Sequence, residues 1–241
     1  AGRVAVLQGA VALFPDLIAP ELLAGAVHVQ EFVGLRVAYV DRLLHAVDEW
    51  PHDPVGSPAV QVWTAVENEY FRGIRNPIGI KVGPGMDSDW LSGLLDRLNP
   101  QRDPGRIVLI HRMGEAHIED KLPALIRAVQ EHGSPVLWIS DPMHGNTETA
   151  GSGYKTRRFE NILRELELSF QIHGDAGSNL GGVHFELTGE DVTECTGGAR
   201  GLTEADLARA YKSQVDPRLN YEQALEMAML IGRCRTRNER A

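Results

Sequence analysis

The sequence predicts an α/β fold, a TIM-type (β/α)8 barrel held in a single domain over residues 1–241, and three observations carry that prediction. Short apolar runs bounded by Gly, Pro or Asp alternate with longer segments of helical period, the pattern of βα units around a parallel sheet. Polar residues gather just after the ends of the apolar runs, where barrels of this kind carry their chemistry. The length of 241 residues suits one large core and lies in the range of α/β barrels.

Taken in chain order, Val4–Gln8 reads as a strand, 23–34 as a helix, and "LRVAYV" at 35–40 fits either state. The stretch "EWPHDPVGSPA" at 49–59 holds four Gly or Pro residues and reads as a surface loop. Val60–Trp63 is the next strand, followed by Ile78–Val82, which carries Lys81 at its end before the break on Gly83 and Pro84. A helix over 87–98, a strand Ile107–Ile110, a helix over 118–132 and a strand Val136–Ile139 continue the alternation. The remaining elements are a helix over 154–171 opening on "YKTRRF", a strand Val183–Leu187, and helices over 203–214 and 220–235.

Composition excludes several classes of function. The net charge of −9 disfavours a nucleic-acid footprint, which relies on Lys and Arg to displace counterions. No apolar run approaches the roughly 20 residues of a membrane span. Pro15, Asp16, Pro20 and Glu21 interrupt any secretory signal, so a cytoplasmic protein is expected. Two cysteines, Cys195 and Cys234, make no disulfide framework.

The candidate site collects at strand ends. His144 sits in the tight turn "SDPMHGNT", Glu186 in "GGVHFELTGE" and Asp216 in "SQVDPRLN". One imidazole and two carboxylates suit Mn²⁺, Fe²⁺, Co²⁺ or Zn²⁺, although any such trio in a long chain can also be surface residues. Lys81, Arg112, Lys155, Arg157 and Arg158 are candidates to bind phosphate or carboxylate groups. For the three in "YKTRRF" a solvated helix start is the competing reading. Lys81 and Arg112 each end an apolar strand, and a buried cation needs an anionic partner. Cys195 reads as a small packed residue, and His111, His117, His173 and His184 as structural or surface residues.

From "NPIGIKVGP" through "LIHRMG", "DPMHGNT", "GYKTRRF" and "GGVHFELTGEDVTEC" to "DPRLN", the chain resembles the C-terminal half of the type II 3-deoxy-D-arabino-heptulosonate 7-phosphate (DAHP) synthases, over about residues 69–232. The resemblance implies a (β/α)8 barrel that condenses phosphoenolpyruvate with erythrose 4-phosphate, using a divalent metal, at the entry to the shikimate pathway. It implies that Lys81 and Arg112 hold phosphoenolpyruvate, that Lys155, Arg157 and Glu67 belong to the substrate site, and that His144, Glu186 and Asp216 ligate the metal, Mn²⁺ first among the candidates. Lys81, Arg112 and His144 are then the expected catalytic residues, in a homo-oligomer acting on a small anionic substrate. Residues 1–68 depart from the family. "GRVAVLQGAVALF" resembles its first strand with Ala12 where the family has a cysteine ligand, and the phosphate-gripping "AGQYAKPRS"-like segment is missing. "VQVWTAVENEYF" is similar to the later "WxGER" strand and retains Trp63 and Glu67. A shortened or incomplete barrel follows. Three functions remain open: a DAHP synthase-like aldol enzyme, a barrel enzyme of specialised metabolism acting on another small acid, and a non-catalytic binding or regulatory subunit.

Overall fold

The computed structural model describes residues 71–238, and residues 9–13 as backbone. The readings at Val4–Gln8, 23–34, 35–40, 49–59 and Val60–Trp63, and the expected substrate residue Glu67, lie outside the described residues.

Strands β1 (Gly9–Leu13), β2 (Ile78–Val82), β3 (Ile107–His111), β4 (Val136–Ser140) and β7 (Leu180–Glu186) form one sheet in the order β1-β7-β4-β3-β2. A small hairpin joins β5 (Thr147–Thr149) to β6 (Lys155–Arg157). Among the described residues four helices accompany them: α1 (Ser88–Leu98), α2 (Ile118–His132), α3 (Phe159–Asp175) and α4 (Tyr221–Asn238). Strands β2, β3, β4 and β7 are parallel to one another, and their connections through α1, α2 and α3 are the expected βα units. β1 instead runs antiparallel to β7, with Gly9 opposite Glu186 and Ala12 opposite Val183. This departs from the all-parallel expectation, because a five-residue apolar run such as "GAVAL" carries no directional signal and an antiparallel ladder needs no crossover.

The sheet has two differently dressed faces, as the two-residue period of a strand dictates. Ile78, Ile80, Val82, Ile107, Leu109, Trp138, Val183 and Phe185 enter one hydrophobic core with the apolar stripes of the helices. Leu91, Leu94, Leu95 and Leu98 supply the stripe of α1, and Ile118, Leu122, Leu125, Ile126 and Val129 that of α2. Burying each such side chain is worth about 1.5–3 kcal/mol. The alternate residues, Lys81, Ile110, Ile139, His184 and Glu186, face the other way, and all are buried. Helix ends are fixed locally: Asp87 caps α1 by accepting from the Trp90 amide at 2.7 Å, and Gly133 ends α2 at φ 72°.

Two helical readings are corrected. The segment opening on "YKTRRF" is extended over Lys155–Arg157, and α3 starts only at Phe159. There the pairing of Thr147 with Arg157 and of Thr149 with Lys155 takes the backbone bonds a first helical turn would otherwise use. Residues 203–214 form only a 3-10 turn over Glu204–Arg209, closed at its start by a reciprocal Thr203–Asp206 capping box. Among the described residues no helix is long and apolar enough to cross a membrane.

Candidate metal centre and active site

Lys81, one residue before the end of β2, is buried and forms an ion pair with Asp141, the first residue after β4. Its Nζ also lies 2.8 Å from His184 Nδ1, on β7. The anion demanded by a buried lysine is therefore supplied two strands away, across β3. Asp141 Oδ2 is also 2.7 Å from His144 Nδ1, and its Oδ1 accepts from the Met143 and His144 amides at 3.1 and 3.2 Å. Burial alone would push the Asp141 pKa up. The charges of His144, Lys81 and His184 outweigh it and hold the carboxyl well below its usual range.

His144 occupies a 3-10 turn, His144–Asn146, immediately beyond β4. With Nδ1 engaged by Asp141, Nε2 points toward Glu186 Oε1 at 3.5 Å and Asp216 Oδ2 at 3.9 Å. These three donor atoms lie within 4.8 Å of one another. Glu186 ends β7, and Asp216 is brought beside it by the returning chain: the Leu219 amide donates to the Glu186 carbonyl at 2.9 Å, and the Thr188 amide to the Leu219 carbonyl at 2.9 Å. Burial pulls the His144 pKa down, but Asp141 and the bond to Glu186 outweigh it and raise it to about 9. Burial pushes Glu186 up, but His144 and Arg157 outweigh it and lower it to about 2.

The donor set fits a divalent ion. Two donors each about 2.0–2.2 Å from one ion lie roughly 3–3.5 Å apart; Glu186 stands at that distance from His144, and Asp216 slightly farther at 3.9 Å. Each carboxylate gives one oxygen to a protein cation and turns the other toward His144: Glu186 Oε2 pairs with Arg157 and Asp216 Oδ1 with Lys155 at 2.5 Å, while Oε1 and Oδ2 face the imidazole. A carboxylate on Nδ1 also fixes the ring so that Nε2 is presented as ligand. A second cluster, Asp141, His144 and His184, is similarly compact, but there the Lys81 ammonium already occupies the cationic position.

Buried acids outside this set hold its loops. Glu165, on α3, accepts from the Met113 and Gly114 amides at 2.9 and 3.1 Å and from Asn146 Nδ2 at 2.6 Å, tying the turn after β3 to the turn after β4. Burial raises its pKa to about 8 against those donors. The same turns touch backbone to backbone: a Cβ on Gly145 would stand 2.3 Å from the Gly114 amide nitrogen. Glu194 accepts from the Lys212, Ser213 and Arg218 amides at 3.0, 2.8 and 2.8 Å and pairs with the Arg218 guanidinium, fixing the loop that carries Asp216.

The structure thus brings His144, Glu186 and Asp216 together, with Lys155 and Arg157 on their outer sides. Lys155 is half-exposed at the rim, whereas Arg157 is fully buried beneath the carboxylates. Arg112 follows β3, half-buried, with its amide bonded to the Val82 carbonyl at 2.8 Å. Arg158, exposed, pairs with Glu148. His184, read as structural, stands in the site, and its two-residue spacing from Glu186 on one strand was the available signal. His111 and His173 are buried on the helical side beside Trp138, with ring centroids 5.5 Å apart. Cys195 is packed inside, its thiol pushed up to about 12 by burial.

Residues 60–232 match the class-II DAHP synthetase family. Three relatives named phospho-2-dehydro-3-deoxyheptonate aldolase are similar to the chain. The Streptomyces coelicolor protein is 48% identical over 163 residues, covering 68% of this chain and 36% of that one. The Neurospora crassa protein is 51% identical over 165 residues, 68% of this chain and 34% of that one. The Mycolicibacterium smegmatis protein is 46% identical over 158 residues, 66% of this chain and 34% of that one. The chain spans about a third of the length of these relatives.

Proposed function

The chain belongs to the class-II DAHP synthetase family, and on that premise we propose that it serves an aldol-type carbon–carbon bond formation on phosphoenolpyruvate or a related 2-oxo acid at the cluster around His144. The carrying observation is the convergence of His144, Glu186 and Asp216 from three separate segments, each carboxylate turning one oxygen inward. The parallel strands β2, β3, β4 and β7 are then part of a (β/α)8-type barrel, with the site at the C-terminal ends of its strands. The same reading carries a cytoplasmic homo-oligomer with it.

His144, Glu186 and Asp216 would hold a divalent ion, Mn²⁺ first, which when bound would supply Lewis acidity toward a carbonyl oxygen of the substrate. The protein's own groups bind and orient. Lys81 carries three N–H donors and gives one to Asp141, which leaves donors for an incoming carboxylate or phosphate. Asp141 holds the ammonium in place. Arg112, at the end of the adjacent strand, is the second cation for the same anion, with a planar fork suited to it. Lys155, at the rim on Asp216, is a third cation within reach of the mouth.

A second reading, a barrel enzyme acting on a different small acid, is favoured by the missing phosphate-gripping segment, without which an aldose phosphate loses orientation. Metal analysis of the purified protein, with phosphoenolpyruvate titrated in the presence and absence of Mn²⁺, separates the two. Metal-dependent binding that is lost in Lys81→Ala is the expected result. Metal retained with no phosphoenolpyruvate binding would transfer the site to the second reading, and absence of both would leave a binding or regulatory subunit.

A further inference from the structure

We infer that Arg157 is a positioning residue for the metal centre: one buried guanidinium ties together the three segments that supply His144, Glu186 and Asp216, and fixes which carboxylate oxygen faces the ion. The inference rests on the metal reading above and gives Arg157 a role beneath the ligands in place of a substrate contact.

The contacts reach Glu186 directly and the segments of the other two ligands through their neighbours. Nη1 of Arg157 donates to Glu186 Oε2 and to the carbonyl of Pro217, the residue after Asp216. Nε donates to Thr147 Oγ1 at 2.9 Å, and that hydroxyl lies 3.4 Å from the carbonyl of Met143, the residue before His144. With Oε2 held below, Glu186 has Oε1 left to direct at His144 Nε2. Lys155, two residues earlier on β6, holds Asp216 in the same sense, but it is half-exposed and its grip is weaker. β6 therefore delivers two cations, at alternate positions of one three-residue strand, to the two carboxylates of the site.

Stability does not explain this arrangement. Taking a guanidinium out of water is costly, and a well-packed apolar side chain of similar volume is often at least as stable. One more donor, Arg157 Nη2, is buried without an acceptor among the described residues, a further cost. What the buried arginine supplies is order: a rigid fork whose donors address three loops at once.

Electrostatics alone predicts the opposite effect on metal affinity, and this makes the inference testable. Removing a cation beside a cation site should tighten metal binding if charge is all that Arg157 contributes. Removing a positioning residue should weaken it, by about 10–100-fold for groups that orient metal ligands. The measurement is the Mn²⁺ dissociation constant of the whole 241-residue chain, read from the resonance signal of free Mn²⁺. The panel is the wild type, His144→Ala, Arg157→Met, Arg157→Lys and Thr147→Val, each with a thermal melt. The expected pattern is loss of binding in His144→Ala, weakening of the stated size in Arg157→Met, partial recovery in Arg157→Lys and a several-fold weakening in Thr147→Val. If Arg157→Met fails to fold, Arg157→Lys and Thr147→Val decide. Variants that bind Mn²⁺ as tightly as the wild type or tighter, while His144→Ala binds none, would overturn the positioning role and leave the metal centre standing. A wild type that binds no Mn²⁺, or binds it equally after His144→Ala, overturns the metal reading and this inference with it.

Discussion

The Asp141 carboxylate has Lys81, His144 and His184 around Oδ2 and the Met143 and His144 amides on Oδ1. Replacing it by Asn keeps the shape and removes the charge, leaving the Lys81 ammonium buried without a counter-ion. Breaking one side of a buried pair typically costs about 3–5 kcal/mol, and urea unfolding of Asp141→Asn should show a loss of that order. A loss of less than about 1 kcal/mol would mean that Lys81 has another source of neutralisation. The need for an anion near Lys81 is legible from a lysine at the end of an apolar strand, but its identity is not. Asp141 is 60 residues away, and only the register β2-β3-β4 brings it across. Glu165 offered a clearer signal. Apart from Leu168, the buried positions of α3, Phe159, Ile162, Glu165, Leu166, Ser169, Phe170 and His173, follow the helical period, and a carboxylate in that series belongs to the interior.

At the scale of elements, the site depends on turns that strand and helix patterns do not encode. The periodicity of α1, α2 and α3 and the apolar runs of β2, β3 and β4 were readable because each buries a regular stripe against one core. "YKTRRF" was misread because its cations resemble a solvated helix start, whereas Arg157 is pulled inward by Glu186, Pro217 and Thr147 from three other segments. The turns after β3 and β4 meet through Gly114, at φ 81°, and Gly145. Ala at position 145 would place its Cβ 2.9 Å or less from the backbone of Met113 and Gly114, so one turn must move. Overpacking of this kind costs about 1–3 kcal/mol. Because His144 is the neighbouring residue, Gly145→Ala should weaken Mn²⁺ binding as well as lower the melting temperature. A variant with a lowered melting temperature and unchanged Mn²⁺ affinity would show that the turn yields on the Gly114 side.

For the molecule as a whole, buried titratable groups set how stability varies with pH. Burial lowers the His111 pKa from 6.5 to about 3 and also depresses that of His173. Between those values the unfolded chain takes up protons that the folded chain refuses, so stability falls as pH falls below about 6.5. Glu165 acts in the opposite sense: raised from 4.5 to about 8, it holds a proton in the folded chain that the unfolded chain releases, so stability falls as pH rises through that window. The melting temperature should therefore peak near pH 6–7. Glu165→Gln, which keeps an acceptor for the Met113 and Gly114 amides, should make the alkaline side shallower, with the rest of that limb left to His144, raised to about 9, and His111→Phe should flatten the acid side. An acid limb unchanged in His111→Phe would remove His111 from this account.

The parallel α/β core was legible because its strands are local, bounded runs. The antiparallel placement of β1 was not, because strand direction is decided by connections rather than by side chains. The contact between Gly114 and Gly145 carries a consequence for how such a site changes over generations. Two loops sealed backbone to backbone cannot be lengthened or decorated independently, so any altered specificity must enter through the other loops of the mouth, chiefly residues 187–218. There the exposed start of the segment leaves room, since a Cβ added at Gly189 meets nothing within 4 Å, and a lineage can alter the rim without first dismantling the support of His144.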